Sequence, residues 1–164
     1  MPLLPASIGI IFNNDNSKVL LVKRRDIPIW VLPGGGIEAE ESPEQALIRE
    51  IYEETGYHVQ ICRKCAEYEP INTLASFTTV FICRIVSGTS TLSDETSEIA
   101  FHSILNIQKD IFPPHILWIK EAITHADLIR RPLKEISYGQ IIKYFLMHPW
   151  QVFRYAWTRF IKKS

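Results

Sequence analysis

The chain has 164 residues, enough for one domain with a proper core. Its 18 Lys+Arg balance 18 Asp+Glu, so no global field draws it to nucleic acid or repels it. No apolar run reaches the roughly 18 residues needed to span a bilayer. The opening MPLLPASIGI lacks the basic and apolar regions of a secretory leader, and cysteines number 3, so the expected compartment is a reducing cytoplasm.

In chain order, Ser7–Asn13 reads as a β-strand and Asn14–Ser17 as a turn. Val19–Arg25 resumes the strand pattern, which predicts a hairpin with the first. Ile29–Leu32 is a short strand leading into a glycine loop, Pro33–Gly36. A helix is predicted over Pro43–Thr55: Ser42 suits the N-cap, Pro43 the first helical position and Gln45 a capping box, with Gly56 as the stop. Tyr57–Glu67 and Ser76–Val86 are two further strands. Ser87–Ser97 is a polar loop, Ile99–Ile104 a strand and Pro114–Thr124 a second helix. This order predicts an α/β fold with a mixed sheet between helices.

The first helix carries Glu50, Glu53 and Glu54 at i, i+3 and i+4, on one face. Stability alone disfavours this. Glu50 and Glu54 repel by roughly 0.2–0.5 kcal/mol, and all three lie near the negative end of the helix dipole. A solvated acidic face is the plain reading. A bound cation explains the departure from local rules better. Three hard oxygen ligands suit magnesium or manganese over zinc, and magnesium shares its shell with substrate phosphates.

The segment Gly35–Tyr57, GGIEAEESPEQALIREIYEETGY, resembles the Nudix box, G-x5-E-x7-R-E-U-x-E-E-x-G-U, with U a bulky apolar residue. Gly35, Glu41, Arg49, Glu50, Ile51, Glu53, Glu54 and Gly56 fall on its positions, and Tyr57 stands where an aliphatic residue is usual. The wider likeness to Nudix (MutT-like) hydrolases runs from about Ser7 to about Ala126 and includes the VLLVKRR…W-x-LPGG stretch. It implies an α/β/α sandwich around a central mixed sheet. It also implies metal-dependent hydrolysis of the pyrophosphate bond in a nucleoside diphosphate linked to another group.

On that resemblance, Mg²⁺ (or Mn²⁺) is held by Glu50, Glu53 and Glu54, with a backbone group of Gly35. Arg49 and Glu41 form a pair that ties the glycine loop to the helix. The general base is a box glutamate such as Glu50, or an acid of the polar loop: Glu95 first, then Glu98, with Asp94 nearby. Arg24 or Arg25 can reach phosphates, and Gly34, Gly35 and Gly36 can approach them closely. Trp30, Phe12, Tyr68 and Phe77 can stack a base, although core packing is the stronger expectation for each. Subfamily marks for ADP-ribose, dinucleoside polyphosphates and coenzyme A are not visible. Elimination leaves a nucleoside triphosphate or modified nucleotide, with ADP-ribose or a nucleotide sugar behind. A non-catalytic nucleotide-binding module is the alternative of another class.

Cys62-Arg63-Lys64-Cys65 lacks the ligands of a structural zinc site and reads as ordinary, semi-buried cysteines. The Nudix domain is expected over residues 1–130 and a helical extension over 131–164. From Ile136 to Ser164 there is no acid, while Lys143, Arg154, Arg159, Lys162 and Lys163 are basic. Beyond Pro149, residues Trp150, Phe153, Ala156, Trp157, Phe160 and Ile161 share one helical face. That face suits docking on the domain or on a second copy in a homodimer, or peripheral contact of 150–163 with a membrane.

Overall fold

The computed structural model describes residues 3–106, 111–136 and 139. The basic aromatic extension beyond Gly139 lies outside them, and so do the docking, dimer and membrane readings attached to it.

The strands are β1 (Ala6–Ile11), β2 (Lys18–Arg24), β3 (Trp30–Val31), β4 (Gly34–Gly36), β5 (Tyr57–Pro70), β6 (Thr78–Gly88), β7 (Thr96–Ser103) and β8 (Ile129–Leu133). The helices are α1 (Pro43–Thr55) and α2 (Pro113–Thr124). A five-stranded mixed sheet has the order β4-β1-β6-β5-β8, and a three-stranded antiparallel sheet has the order β3-β2-β7.

Alternation along the strands builds two cores. Ile8 and Ile10 of β1, Val19 and Leu21 of β2 and Val80 of β6 pack with Trp118 and Ile119 of α2. Their chain neighbours Ile11, Leu20 and Phe81 point the other way, onto Leu47 and Ile51 of α1. Strands buried on both faces between two helices make the expected α/β/α layering.

Three sequence expectations change. β1 and β2 do not form a hairpin; a single bridge, Phe12 to Val19, joins them. β1 instead pairs with β6 in parallel, Ala6–Ile11 against Thr78–Cys83, and with β4 in antiparallel fashion. Its edges are thus taken, and the turn at Asn14–Ser17 carries the chain into the second sheet, where β2 pairs with β7. The glycine segment is a strand, not a loop: Gly36, Gly35 and Gly34 lie opposite Ala6, Ser7 and Ile8. Finally, Ile129–Leu133 adds β8 in parallel to β5, so residues 131–133, assigned from the sequence to the extension, continue the sheet. Arg131 holds this edge: its guanidinium donates to both oxygens of Glu121 on α2 and lies 4.7 Å from the Tyr68 ring centre on β5.

Cys65 and Cys83 are buried and Cys62 is exposed. Burial pushes the Cys65 thiol up to about 11 and that of Cys83 to about 12, so both are packing groups rather than reactive thiols.

His115 of α2 is 7% exposed, and its Nδ1 accepts the backbone N–H of Leu32 at 2.9 Å. Burial lowers its pKa to about 3, against about 6.5 in an unfolded chain. Between those values the unfolded state binds a proton that the native state refuses. Stability is therefore full above about pH 6.5 and falls on acidification, by about 1.4 kcal/mol per pH unit. Between about pH 6.5 and 4.5, urea unfolding should show His115→Gln, which can still accept from Leu32, gaining stability relative to the wild type by that amount per unit of acidification; parallel curves would show that His115 is not the titrating group.

Candidate active site

α1 forms as its sequence implies. Ser42 Oγ accepts from Gln45 N at 3.2 Å, and Gln45 Oε1 accepts from Ser42 N at 2.9 Å. Gly56 closes the helix in the left-handed region, φ 73°, donating its N–H to Tyr52 O. These caps fix the rotation of the helix. Its buried side carries Glu54 together with Ala46, Leu47 and Ile51; Glu54 and Glu50 meet Gly34 and Gly35 of β4 there, while Glu53 stays exposed at the edge of that face.

Arg49 is the hub of this face. Its Nε and Nη2 donate to the two carboxylate oxygens of Glu41 at 2.8 and 2.9 Å. Nη1 donates to Glu50 at 2.9 Å and to Glu53 at 3.3 Å, and Nη2 also reaches the Gly36 carbonyl at 3.2 Å. One planar guanidinium thus ties the loop before α1, the glycine strand and two of the three acids together. The Arg49 bond drives the Glu41 carboxyl down to about 2, so this pair stays ionised through the physiological range.

The three glutamates are graded in burial. Glu53 is exposed. Glu50 is partly buried, and burial raises its proton affinity against the opposing pull of Arg49. Glu54 is 9% exposed; burial pushes its carboxyl up to about 7 even though Gly34 N donates to it at 2.8 Å. The charge of Glu95 raises both Glu50 and Glu54 further, which places this loop acid in the field of the helix acids.

These groups line one cleft of about 510 Å³ together with Gly34, Gly35, Gly36, Arg24, Ser93 and Asp94. Sequence reasoning thereby has Glu50, Glu53, Glu54, Arg49, the three glycines, Arg24, Asp94 and Glu95 brought together. It placed Arg25, Trp30 and Glu98 less well. Trp30 is 7% exposed, edge-on to His102 at 4.3 Å between ring centres. Glu98 is engaged by Lys23 at 2.6 Å, and the Arg25 guanidinium faces the backbone of the 93–96 segment. Two participants escaped notice. Asp26 grips Arg24 with two bonds, at 2.9 and 2.7 Å, and Glu38 joins the cleft wall. The Arg24-x-Asp26 spacing was the available signal for the first.

The donors fit a divalent cation. All are hard oxygens. The Glu50 carboxyl rests so close to Gly35 that a Cβ there would meet its carbon at 2.5 Å, so only glycine leaves the space open. As placed, no three acidic, thiol or imidazole side chains among the described residues are grouped closely enough to grip an ion. Arg49 holds Glu50 and Glu53 while Gly34 holds Glu54. A buried carboxyl with raised proton affinity is one that gains most from a cation.

A mixed sheet between two helices, with a capped acidic helix closing on a glycine strand, is the layout that the Nudix resemblance implies. The NUDIX domain model matches residues 3–124, and the chain belongs to that family. A Bacillus subtilis (strain 168) protein named "Putative 8-oxo-dGTP diphosphatase" is 47% identical over 60 residues, 37% of this chain and 40% of that one. An RNA pyrophosphohydrolase of Acinetobacter baylyi is 52% identical over 58 residues, 34% of this chain and 35% of that one. The chain thus matches well under half the length of either relative. The solved structure of a NUDIX hydrolase from Nitrosomonas europaea superposes with a TM-score of 0.65 at 25% identity, covering 83% of this chain and 97% of that one.

Proposed function

We propose that the chain hydrolyses the pyrophosphate bond of a nucleoside diphosphate linked to another group, with a nucleoside triphosphate or its modified form as the substrate class. The observation that carries this reading is the buried Glu54 carboxyl beneath Gly34–Gly36, beside Glu50, in an open cleft rimmed by Arg24. The Bacillus relative's name supports the choice of triphosphate.

Glu50, Glu53 and Glu54, with the Gly35 backbone, would hold Mg²⁺ or Mn²⁺. When bound, the ion neutralises phosphate charge and lowers the pKa of a bound water. Arg24, oriented by Asp26, receives substrate phosphate oxygens. Arg49 keeps Glu41, Glu50 and Glu53 in register with the glycine strand. Glu95 accepts the proton of the attacking water as its oxygen bonds to phosphorus and the P–O–P bridge breaks. A full set of acids around Arg49 argues against a binding module freed from catalysis.

The test is a panel with Mg²⁺ or Mn²⁺: nucleoside triphosphates and their oxidised forms, ADP-ribose, nucleotide sugars, dinucleoside polyphosphates and 5′-triphosphorylated RNA. Turnover confined to triphosphates supports the reading; turnover confined to another class replaces the substrate assignment. Nucleotide binding without turnover would leave the module. Glu95→Gln should lower kcat on the order of a hundredfold with metal affinity kept, and a wild-type rate would remove Glu95 as base.

A further inference from the structure

Arg25 was expected near phosphate, yet its guanidinium is spent on backbone. Nε donates to the Asp94 carbonyl at 3.1 Å, and Nη2 donates to the carbonyls of Ser93 at 3.2 Å and Thr96 at 3.0 Å. Its own N–H donates to the Glu95 carbonyl at 2.8 Å. Four consecutive carbonyls, 93 to 96, are thus held by one residue. On the inner side Ser93 Oγ accepts the N–H groups of Glu95 and Thr96 at 3.2 and 3.1 Å. The β2–β7 register shifts at Lys23/Arg24, where Lys23 faces Glu98 and Arg24 faces Thr96. Ser97, the extra residue, donates its hydroxyl to the Lys23 carbonyl at 3.1 Å. A bulge of this kind bends a strand and re-aims what precedes it, and what precedes it here is Ser93-Asp94-Glu95 on the cleft wall.

We propose that Arg25 is a positioning residue: it fills a cup of backbone carbonyls and thereby fixes the 93–96 segment, and with it the Glu95 carboxylate, against the acidic face of α1. Arg24 is the last residue of β2 and lines the cleft. Arg25 begins the bend beyond it, and its guanidinium turns to the backbone of the 93–96 segment. Without the guanidinium the carbonyls of Ser93, Asp94 and Thr96 converge on one another with nothing between them. They would turn out to water, and Glu95 would lose its fixed approach. A misplacement of about 1 Å is worth roughly a hundredfold in rate. Lysine reaches the same cup with a point charge and three donors but not the planar fork, so it should restore part of the effect.

This inference rests on the cleft being the hydrolytic site, and its test separates the two. Full-length wild type, Arg25→Ala, Arg25→Lys, Glu95→Gln and the Arg25→Ala/Glu95→Gln double variant are compared with dGTP and Mg²⁺, alongside thermal melting and amide exchange. Arg25→Ala should lose protection at the Glu95 and Thr96 amides while the α1 amides keep theirs. Its kcat should fall about a hundredfold with KM within about threefold, and Arg25→Lys should recover part of that loss. The double variant should be no slower than Glu95→Gln alone, because residues acting as a unit are not additive. Unchanged exchange at Glu95 and Thr96 in Arg25→Ala would overturn the positioning role whatever the kinetics. A raised KM with kcat intact, or multiplicative losses in the double variant, would overturn it in favour of a direct substrate contact. A wild-type rate for Glu95→Gln, with exchange in Arg25→Ala still increased, would instead remove the base assignment and leave Arg25 as the loop's fastening.

Discussion

Glu54→Gln is expected to lower kcat by about a thousandfold or more while making the protein more stable at pH 8. The catalytic loss follows from removing one of the charged oxygens proposed for the cation, whose contribution is several kcal/mol, each 1.36 kcal/mol being tenfold in rate. The gain follows from burial. The Glu54 carboxyl is raised to about 7, above the roughly 4.3 of an unfolded chain. In the window between those values the native state retains a proton that the unfolded chain has released. The associated stability is full below about pH 4.3 and is lost as pH rises through 7, about 4 kcal/mol in all. Glutamine has no charge to desolvate and still offers an oxygen to the Gly34 N–H. Melting temperatures should therefore coincide at pH 4.5 and diverge at pH 8, the variant being higher, while Mg²⁺ titration shows weakened binding. A variant with a tenth of the wild-type rate would take Glu54 out of the metal set.

Gly34→Ala and Gly35→Ala should fail in different ways although the residues are adjacent. Gly34 sits at φ 135°, and a Cβ there would run into the Ser7 carbonyl and Ile8 Cα of β1. Backbone in a sheet cannot step aside, so this variant should lose more than about 3 kcal/mol. At Gly35 the Cβ would meet the Glu50 carboxyl instead, the free end of a long side chain. That carboxyl can swing away at little cost to the fold, within about 1 kcal/mol, but it then leaves its place beside Arg49. Gly35→Ala should melt near the wild type and turn over about a hundredfold more slowly. Melting curves and kcat measured on both variants decide this, and equal destabilisation of the two would show that Glu50 is not what Gly35 makes room for.

The acidic helix was the most legible part of the chain. Ser42, Pro43, Gln45 and Gly56 specify its ends through bonds made within a few residues, and Glu50, Glu53 and Glu54 follow its period. Glu41 and Arg49 were readable as a pair because box spacing carries them, and their two short bonds are present. Long-range choices were not legible. Ser7–Asn13 and Val19–Arg25 look like a hairpin because the turn between them is genuine; which edges of β1 are taken depends on β4 and β6, and β6 lies some seventy residues away.

Sequence by itself determined the α/β class, the two helices, most strands and the acids of the site, because caps, periodicity and local charge are properties of neighbouring residues. Only the tertiary structure decided which of those residues meet. Strand pairing turned the glycine loop into a strand that donates to Glu54, burial withdrew Trp30 from the surface, and Lys23 claimed Glu98. Arg24, at the end of β2, lines the cleft, and Arg25, in the bend that follows, holds the backbone of the 93–96 segment. Their roles are set by what the sheet and the neighbouring loop bring to each, which residues distant in the chain decide.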